Sequence, residues 1–212
     1  DVDELLQVVK TDGSGDYSFQ EAYSSTVQRE FYISQGTDDA DGSTVTTTST
    51  DLDLGDYNNA IRFQNIGIPQ GATITEAYLE FQAEENTTGS YSTVIEGVDQ
   101  NDASTFSSGQ NLSSLARTSA STTWSGSDAW SINDAKTTPS ILSIVQEIVN
   151  RAAWNEGNSM AFILNQGSGH RAAHSFESNP ARAPKLVVSY TSSQVNYVVI
   201  IKETNLPTGY TL

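Results

Sequence analysis

The sequence predicts an all-β protein: a β-sandwich or jelly roll with one short helix and strand-like extensions at both ends. Three observations point there. Short strand-like stretches recur between Phe31 and Tyr190, separated by Gly, Asn, Asp and Ser. Ser and Thr make up roughly a quarter of the chain, which suits solvated strands and turns better than helices. One stretch alone, Thr138 to Arg151, carries a helical period.

The elements follow in order. Residues 1–30 read as an N-terminal extension, with an apolar run, Leu5–Val9, before the Gly/Asp turn Thr11–Asp16. Residues 31–190 read as the sandwich module. Ala60–Phe63 is a short strand, and Ile66–Ala72 is a loop that turns at Pro69 to Gly71. In Thr75–Gln82 the side chains of Ala77, Leu79 and Phe81 face one way, and those of Glu76, Tyr78 and Glu80 the other. Ser92–Val98 alternates in the same manner, with Val94 and Glu96 opposite Ile95. Thr138 is placed to cap a helix over residues 139–151, and Pro139 suits its first position. Ile141, Ile144, Val145, Ile148 and Val149 form its apolar stripe, and Arg151 favours its C-terminal end. Met160–Leu164 is continuously apolar, the mark of a fully buried strand, and Lys185–Tyr190 is the last strand of the module. Residues 191–212 read as a linker followed by a strand extension, Val195–Ile201, and a turn around Pro207 and Gly209.

Composition excludes several functions. The 212 residues carry 10 Lys and Arg against 26 Asp and Glu, a net charge of −16. Phosphate binding needs clustered Lys and Arg, so nucleic acid is excluded as a partner, and an anionic membrane surface is disfavoured. No apolar run approaches the roughly 20 residues of a spanning helix. With no cysteine there is no disulfide, Cys–zinc site or thiol nucleophile. Asp1 opens the chain and Met160 is the only methionine, the expectation for a processed product or an excised piece. Acidity, Ser/Thr/Asn/Gly richness and the lack of cysteine favour an extracellular or cell-surface protein of a prokaryote.

Part of the sequence resembles a known family. Ile61-Arg62-Phe63, followed by Pro69-Gln70-Gly71-Ala72-Thr73-Ile74-Thr75-Glu76-Ala77-Tyr78-Leu79, resembles the "R-F, then P-x-G-A-x-I-x-x-A-x-L" phrase of DNRLRE-type modules. These are also called disaggregatase-related domains, and they include an alginate-binding carbohydrate-binding family. Trp124, Trp130, Ile144–Asn150, Trp154, Phe162, Arg171-Ala172-Ala173, Phe176-Glu177-Ser178 and Ala183–Tyr190 continue the match in order, over about residues 31–190. The resemblance implies a β-sandwich of large extracellular prokaryotic proteins, some of which bind polysaccharide. A shorter fragment, Tyr197–Ile201 with Leu206–Leu212, is similar to a strand and turn of SdrD B-type surface repeats.

Candidate sites are few. The acidic loops Asp38–Gly42 and Asp51–Asp56 admit two readings: a structural calcium, with Asp39, Asp41 and Asp53 as first ligands, or a solvated acidic turn. Their spacing is not that of an EF-hand. His170 and His174 lie four apart, but their Gly- and Pro-flanked setting argues against the shared helix face that zinc would need. Arg171 and Glu177 are placed to pair. Trp124 and Trp130 offer either core packing or a sugar-stacking platform, and Trp154 reads as core. No Gly-x-Ser-x-Gly elbow occurs, no carboxylate sits in an apolar setting, and the reading is of a non-enzyme. Val195, Tyr197, Val198, Val199, Ile200 and Ile201 form an apolar, β-branched strand that would aggregate if left open. It packs on its own sandwich, begins a neighbouring domain, or adds to the sheet of another molecule. The leading expectation is a structural or adhesive module that self-assembles through these residues into a fibre or layer. The alternative is a carbohydrate-binding module for an extracellular polysaccharide, more neutral than acidic.

Overall fold

The computed structural model describes residues 8–10, 17–42 and 45–201, with side-chain surroundings for residues 25–42 and 45–191. The chain forms two compact units, Val27–Thr191 and Asp1–Thr26 with Ser192–Leu212. In the second of these, strand β1 (Val8–Lys10) pairs antiparallel with the start of β2 (Tyr17–Tyr32). Val8 and Val9 of the expected N-terminal apolar run therefore lie on a strand, while Leu5–Gln7 fall outside the described residues.

The Val27–Thr191 unit is a sandwich. Its further strands are β3 (Asp39–Asp41), β4 (Asp51–Leu54), β5 (Asn59–Phe63), β6 (Thr73–Gln82), β7 (Tyr91–Val98), β8 (Arg117–Gly126), β9 (Ala135–Thr137), β10 (Met160–Ser168), β11 (Arg171–His174) and, as far as Thr191, β12 (Lys185–Ile201). One sheet runs β1-β2-β12-β6-β9, another β3-β5-β10-β7-β8, and β11 pairs with β4 in a small third. The only helix among the described residues longer than a single turn is α1 (Leu142–Val149), and no helix there is long and apolar enough to cross a membrane. The fold class is thus all-β, as the sequence predicts.

Strand β10 explains the layering. Met160, Phe162 and Leu164 point into the main core with Phe63, Leu79, Phe81 and Ile95. Ala161 and Ile163 point the other way, into a second cluster with Val98, Phe106 and Leu112. The strand is buried on both faces, so it reads as an unbroken apolar run. Strand β6 has one buried face, and Ala77, Leu79 and Phe81 occupy it. Between β5 and β6 the chain turns with Ala72 N–H on the Pro69 carbonyl at 3.1 Å, and Gly71 takes a φ of +73° that a side chain would resist.

The helix is shorter than the 139–151 span predicted from sequence. Thr138 does not cap it: its N–H donates to the Leu79 carbonyl at 2.9 Å, and its hydroxyl accepts from Leu79 N–H at 3.1 Å. Ile141 N–H donates in turn to the Ala77 carbonyl, so the chain stays extended beside β6 until Ile141. The apolar stripe is as expected, since Ile141, Ile144, Val145, Ile148 and Val149 are all buried.

That helix also closes an edge. Glu147 accepts from the N–H groups of Ser119 at 2.7 Å and Ala120 at 2.8 Å on β8. Edge N–H groups that would otherwise invite another strand are occupied. At the opposite edge of the same sheet, Thr46 exchanges both main-chain hydrogen bonds with Asp41 of β3. Where α1 crosses β7, Gly97 leaves no room: a Cβ there would lie 2.8 Å from Ile144 Cγ2 and Ile148 Cδ1, and 2.9 Å from Thr118 Cγ2. Gly97→Ala is therefore expected to cost about 1–3 kcal/mol of stability through overpacking, measured by urea unfolding. Unchanged stability would mean that the helix does not seat on β7 as described.

Candidate functional site

Two guanidinium groups, one partly and one fully buried, organise the loops around the sheets. Arg62, on β5, donates to the Ala103 carbonyl at 2.6 Å and to Ser159 Oγ at 2.9 Å, and it pairs with Asp38. The second oxygen of Asp38 accepts from Gln64 at 2.6 Å and Ser34 at 3.1 Å, so this fully buried carboxylate is completely used.

Arg171, on β11, has no exposed surface. Its Nη1 donates to the His170 carbonyl at 2.7 Å and the Thr88 carbonyl at 3.3 Å. Its Nη2 donates to the Asp128 carbonyl at 3.0 Å and to the Gly89 carbonyl. The guanidinium lies over the Tyr91 ring, 4.5 Å from its centroid. The pairing expected between Arg171 and Glu177 is absent. Glu177 instead lies over Gly36, where a Cβ would collide with its carboxylate, and beside Asp39. A planar fork suits several carbonyls at once, which is why the arginine turns to the loops.

The tryptophans belong to this core. Trp124 and Trp130 are 4% and 1% exposed. Their rings are 5.6 Å apart, and Trp124 stacks on Phe81 at 5.4 Å while Tyr91 meets both edge-on. The sugar-stacking platform is thereby corrected: both indoles are buried, packed by Phe81 and Tyr91 and, over Trp130, by Lys136 and Arg171. Trp154 is core, as expected, with its indole N–H on the Ile68 carbonyl at 3.0 Å.

The acidic loops lie around β3, β4 and the start of β5. The three expected ligands do not converge as one set. Asp39 is buried and accepts from Phe176 N–H at 2.7 Å; burial pushes its carboxyl up to about 7 against that hydrogen bond, and Glu177 adds to the rise. Asp41 is 8% exposed, and burial followed by the charge of Asp53 pushes its carboxyl up to about 7. Asp53 is raised by burial and by Asp51. Asp41 stands directly opposite Asn59 in the β3–β5 pairing. Asn59 is fully buried, and its Nδ2 donates to the carbonyls of Asp53 at 3.0 Å and Tyr57 at 3.1 Å. Oδ1 of Asp41 and Oδ1 of Asn59 are both buried, and no donor among the described residues reaches either. Among the described residues no group of three or more His, Asp or Glu side chains is arranged to hold a metal by itself.

His170 joins this end. Its Nδ1 is 2.8 Å from Asp56 Oδ2 and 3.8 Å from Asp53 Oδ1, and its Nε2 is 2.6 Å from Glu85 Oε1. Burial opposes its charge, but Glu85 and Asp56 outweigh that and raise its pKa. His174 contacts Ser178 and Asn133 instead, so the two histidines serve separate loops.

Two further features lie beside β6. A groove of about 400 Å³ is lined by Glu76, Ala77, Tyr78, Thr137, Thr138 and Ser140. Strand β6 begins at Thr73, whose partner is Thr191, so β12 runs on past the end of β6 to Ile201. Val195, Tyr197, Val198, Val199, Ile200 and Ile201 lie on that continuation; their side chains, and all of Lys202–Leu212, fall outside what is described.

Sequence reasoning passes over Asn59, Glu147 and the carbonyl-binding role of Arg171. For Asn59 a signal was present: Asn59, Ile61 and Phe63 alternate on one strand face, so a polar residue heads a buried row.

No family model matches the chain, and no curated protein matches it either.

Two outcomes are expected from this geometry. Arg171→Lys should lose more than about 3 kcal/mol in urea unfolding, because one ammonium leaves several buried carbonyls unpaired; near-wild-type stability would contradict the hub. In chelator, the pKa of Asp39 and Asp41 is about 7 in the fold. Each is raised above the unfolded value of about 3.9, so the associated stability is full below that value and is lost as pH rises through about 7. The unfolding midpoint should therefore fall between pH ~5 and ~8, with His170 acting in the same direction. A midpoint that rises over that window would contradict it.

Proposed function

We propose that the chain is a non-catalytic structural or adhesive module of an extracellular prokaryotic surface protein, and that it associates with further copies of itself by strand addition at β12. One observation carries the reading. From Ser192 onward β12 has left β6 behind, so the side of the strand that β6 occupied in the sandwich lies beyond that partner's end. Main-chain N–H and C=O groups on such a side are a template for another strand. Val195 and Tyr197–Ile201 supply a β-branched, apolar sequence on the same stretch. The two edges of the other sheet, by contrast, are occupied by Glu147 and Thr46. Head-to-tail addition of this kind gives a filament when the rotation does not close. The resemblance of residues 31–190 to DNRLRE-type modules, and of the end to SdrD B-type repeats, supports a surface location.

A carbohydrate-binding role is the second reading. The groove beside β6 favours it, since Tyr78, Glu76 and the hydroxyls of Thr137 and Ser140 suit a sugar better than the buried tryptophans do.

Light scattering on the intact chain and on a V198K/I200K double variant separates them. The assembly reading expects multimers of the intact chain and monomers of the variant, because lysine on an exposed strand opposes pairing. An intact chain that stays monomeric at high concentration, and whose binding to a soluble polysaccharide is lost in Tyr78→Ala, would replace the first reading by the second.

A further inference from the structure

The buried polar groups of the Val27–Thr191 unit are nearly all matched, and the exceptions are informative. Arg62 and Asp38 complete each other, and Arg171 binds carbonyls through Nη1 and Nη2, while Arg171 Nε, Thr87 Oγ1 and Trp130 Nε1 are buried without a partner. Asp41 and Asn59 are different. They sit opposite one another on β3 and β5, and each presents a buried oxygen that no described donor reaches. Directly opposed residues of an antiparallel pair have side chains about 4.5–5.5 Å apart at Cβ, so the two oxygens belong to one small space. The amide of Asn59 is fixed: both its hydrogens go to the Asp53 and Tyr57 carbonyls, which leaves Oδ1 as an acceptor only. Two acceptors facing one space repel unless something positive or hydrogen-bearing lies between them.

The surroundings indicate what that is. Asp53 lies next to the pair; its main-chain carbonyl holds Asn59, and its side chain is partly exposed. Asp51 and Asp56 add negative charge from the same loop. The basic group facing this end, His170, is turned to Asp56 and Glu85 and stands 3.8 Å from Asp53. Among the described residues no hydrogen-bond donor, cationic or neutral, reaches Asp41 Oδ1.

We infer that Asp41 Oδ1 and Asn59 Oδ1, with the Asp53 carboxylate beside them, are ligands of a divalent cation, and that the ion is calcium. All three donors are hard oxygens, two charged and one neutral. Calcium accepts such mixed, irregular sets and completes its shell with water or carbonyls, whereas magnesium demands near-octahedral geometry and gives up its waters reluctantly. The site differs from the set that the sequence suggested. Asp39 is excluded because Phe176 N–H and Glu177 occupy it, and Asn59 takes its place. The ion would join β3, β4 and β5 at the end of the sheet that His170 flanks. This inference does not depend on the assembly reading: the ion is tested by chelation, the joint by the strand variant.

Calcium is titrated calorimetrically into the whole chain after chelator treatment, with magnesium in parallel and thermal unfolding followed in each. The expected result is one dominant calcium site. Tm should rise by roughly 5–10 °C when calcium exceeds its Kd about a hundredfold, with a much smaller response to magnesium. Asp41→Asn should lose about tenfold or more in affinity, and Asp39→Asn should keep it. Should Asp41→Asn fail to fold, Asp53→Asn takes its place with the same expectation. Two fillers compete with the ion: a proton on Asp41 shared with Asn59, or a buried water. Either predicts no saturable calcium binding, an unchanged Tm, and an Asp41→Asn variant stabilised in chelator because its amide donates to Asn59. Those results would overturn the inference, as would calcium affinity that survives Asp41→Asn or Asp53→Asn.

Discussion

The burial of Met160–Leu164 of β10 on both faces is the constraint from which the rest of the Val27–Thr191 unit follows. Met160, Phe162 and Leu164 fill one side, and Ala161 and Ile163 the other. Polar groups buried beside that run are cut off from water, so they need partners in the protein. Arg62 and Asp38 do so at one margin, and Arg171 does so with loop carbonyls at another. Glu147 serves the same need for the N–H groups of Ser119 and Ala120. Leaving one such group unpaired would cost about 1–3 kcal/mol, a large share of a domain's net stability. Thr87 Oγ1, Trp130 Nε1 and Arg171 Nε are also buried without a partner, but the oxygens of Asp41 and Asn59 stand out as two acceptors on directly opposed residues.

What the sequence made legible was whatever rests on periodicity. The row Ala77, Leu79, Phe81 lies on a buried face because strands alternate, and the stripe Ile141 to Val149 lies on a buried face because helices repeat every 3.6 residues. The unbroken run Met160–Leu164 was readable because a strand covered on both faces needs no polar side. What was not legible depends on partners distant in the chain. Thr138 carries the residue type of a helix cap, yet Leu79, 59 residues earlier, claims both its hydroxyl and its N–H. Trp124 and Trp130 carry the residue type of a sugar platform, but Phe81 and Tyr91 close over them. Asp39 and Asp41 look equivalent in sequence, two residues apart on one strand face. Phe176, more than a hundred residues on, distinguishes them by donating to the first alone.

The same constraint bears on function. The edges of the sheet that holds β10 are both occupied over part of their length: Glu147 lies across β8, and Thr46 pairs with β3. The strand addition we propose falls on the other sheet, where β12 continues past the end of β6. The strong negative charge of the chain, −16, would oppose the approach of like copies over a Debye length of about 8–10 Å unless counter-ions intervene. A divalent cation held among Asp41, Asn59 and Asp53 would both tie three strands together and lower that charge. The two proposals are thus separate in their residues but act in the same direction.

Assembly through β12 is the central claim, and electron microscopy of the purified chain in negative stain, with calcium, tests it most directly. Regular filaments or layers are the predicted result. Dispersed single particles at concentrations where the chain is abundant would contradict it, and the Val27–Thr191 unit would then stand as a module whose partner is a different molecule.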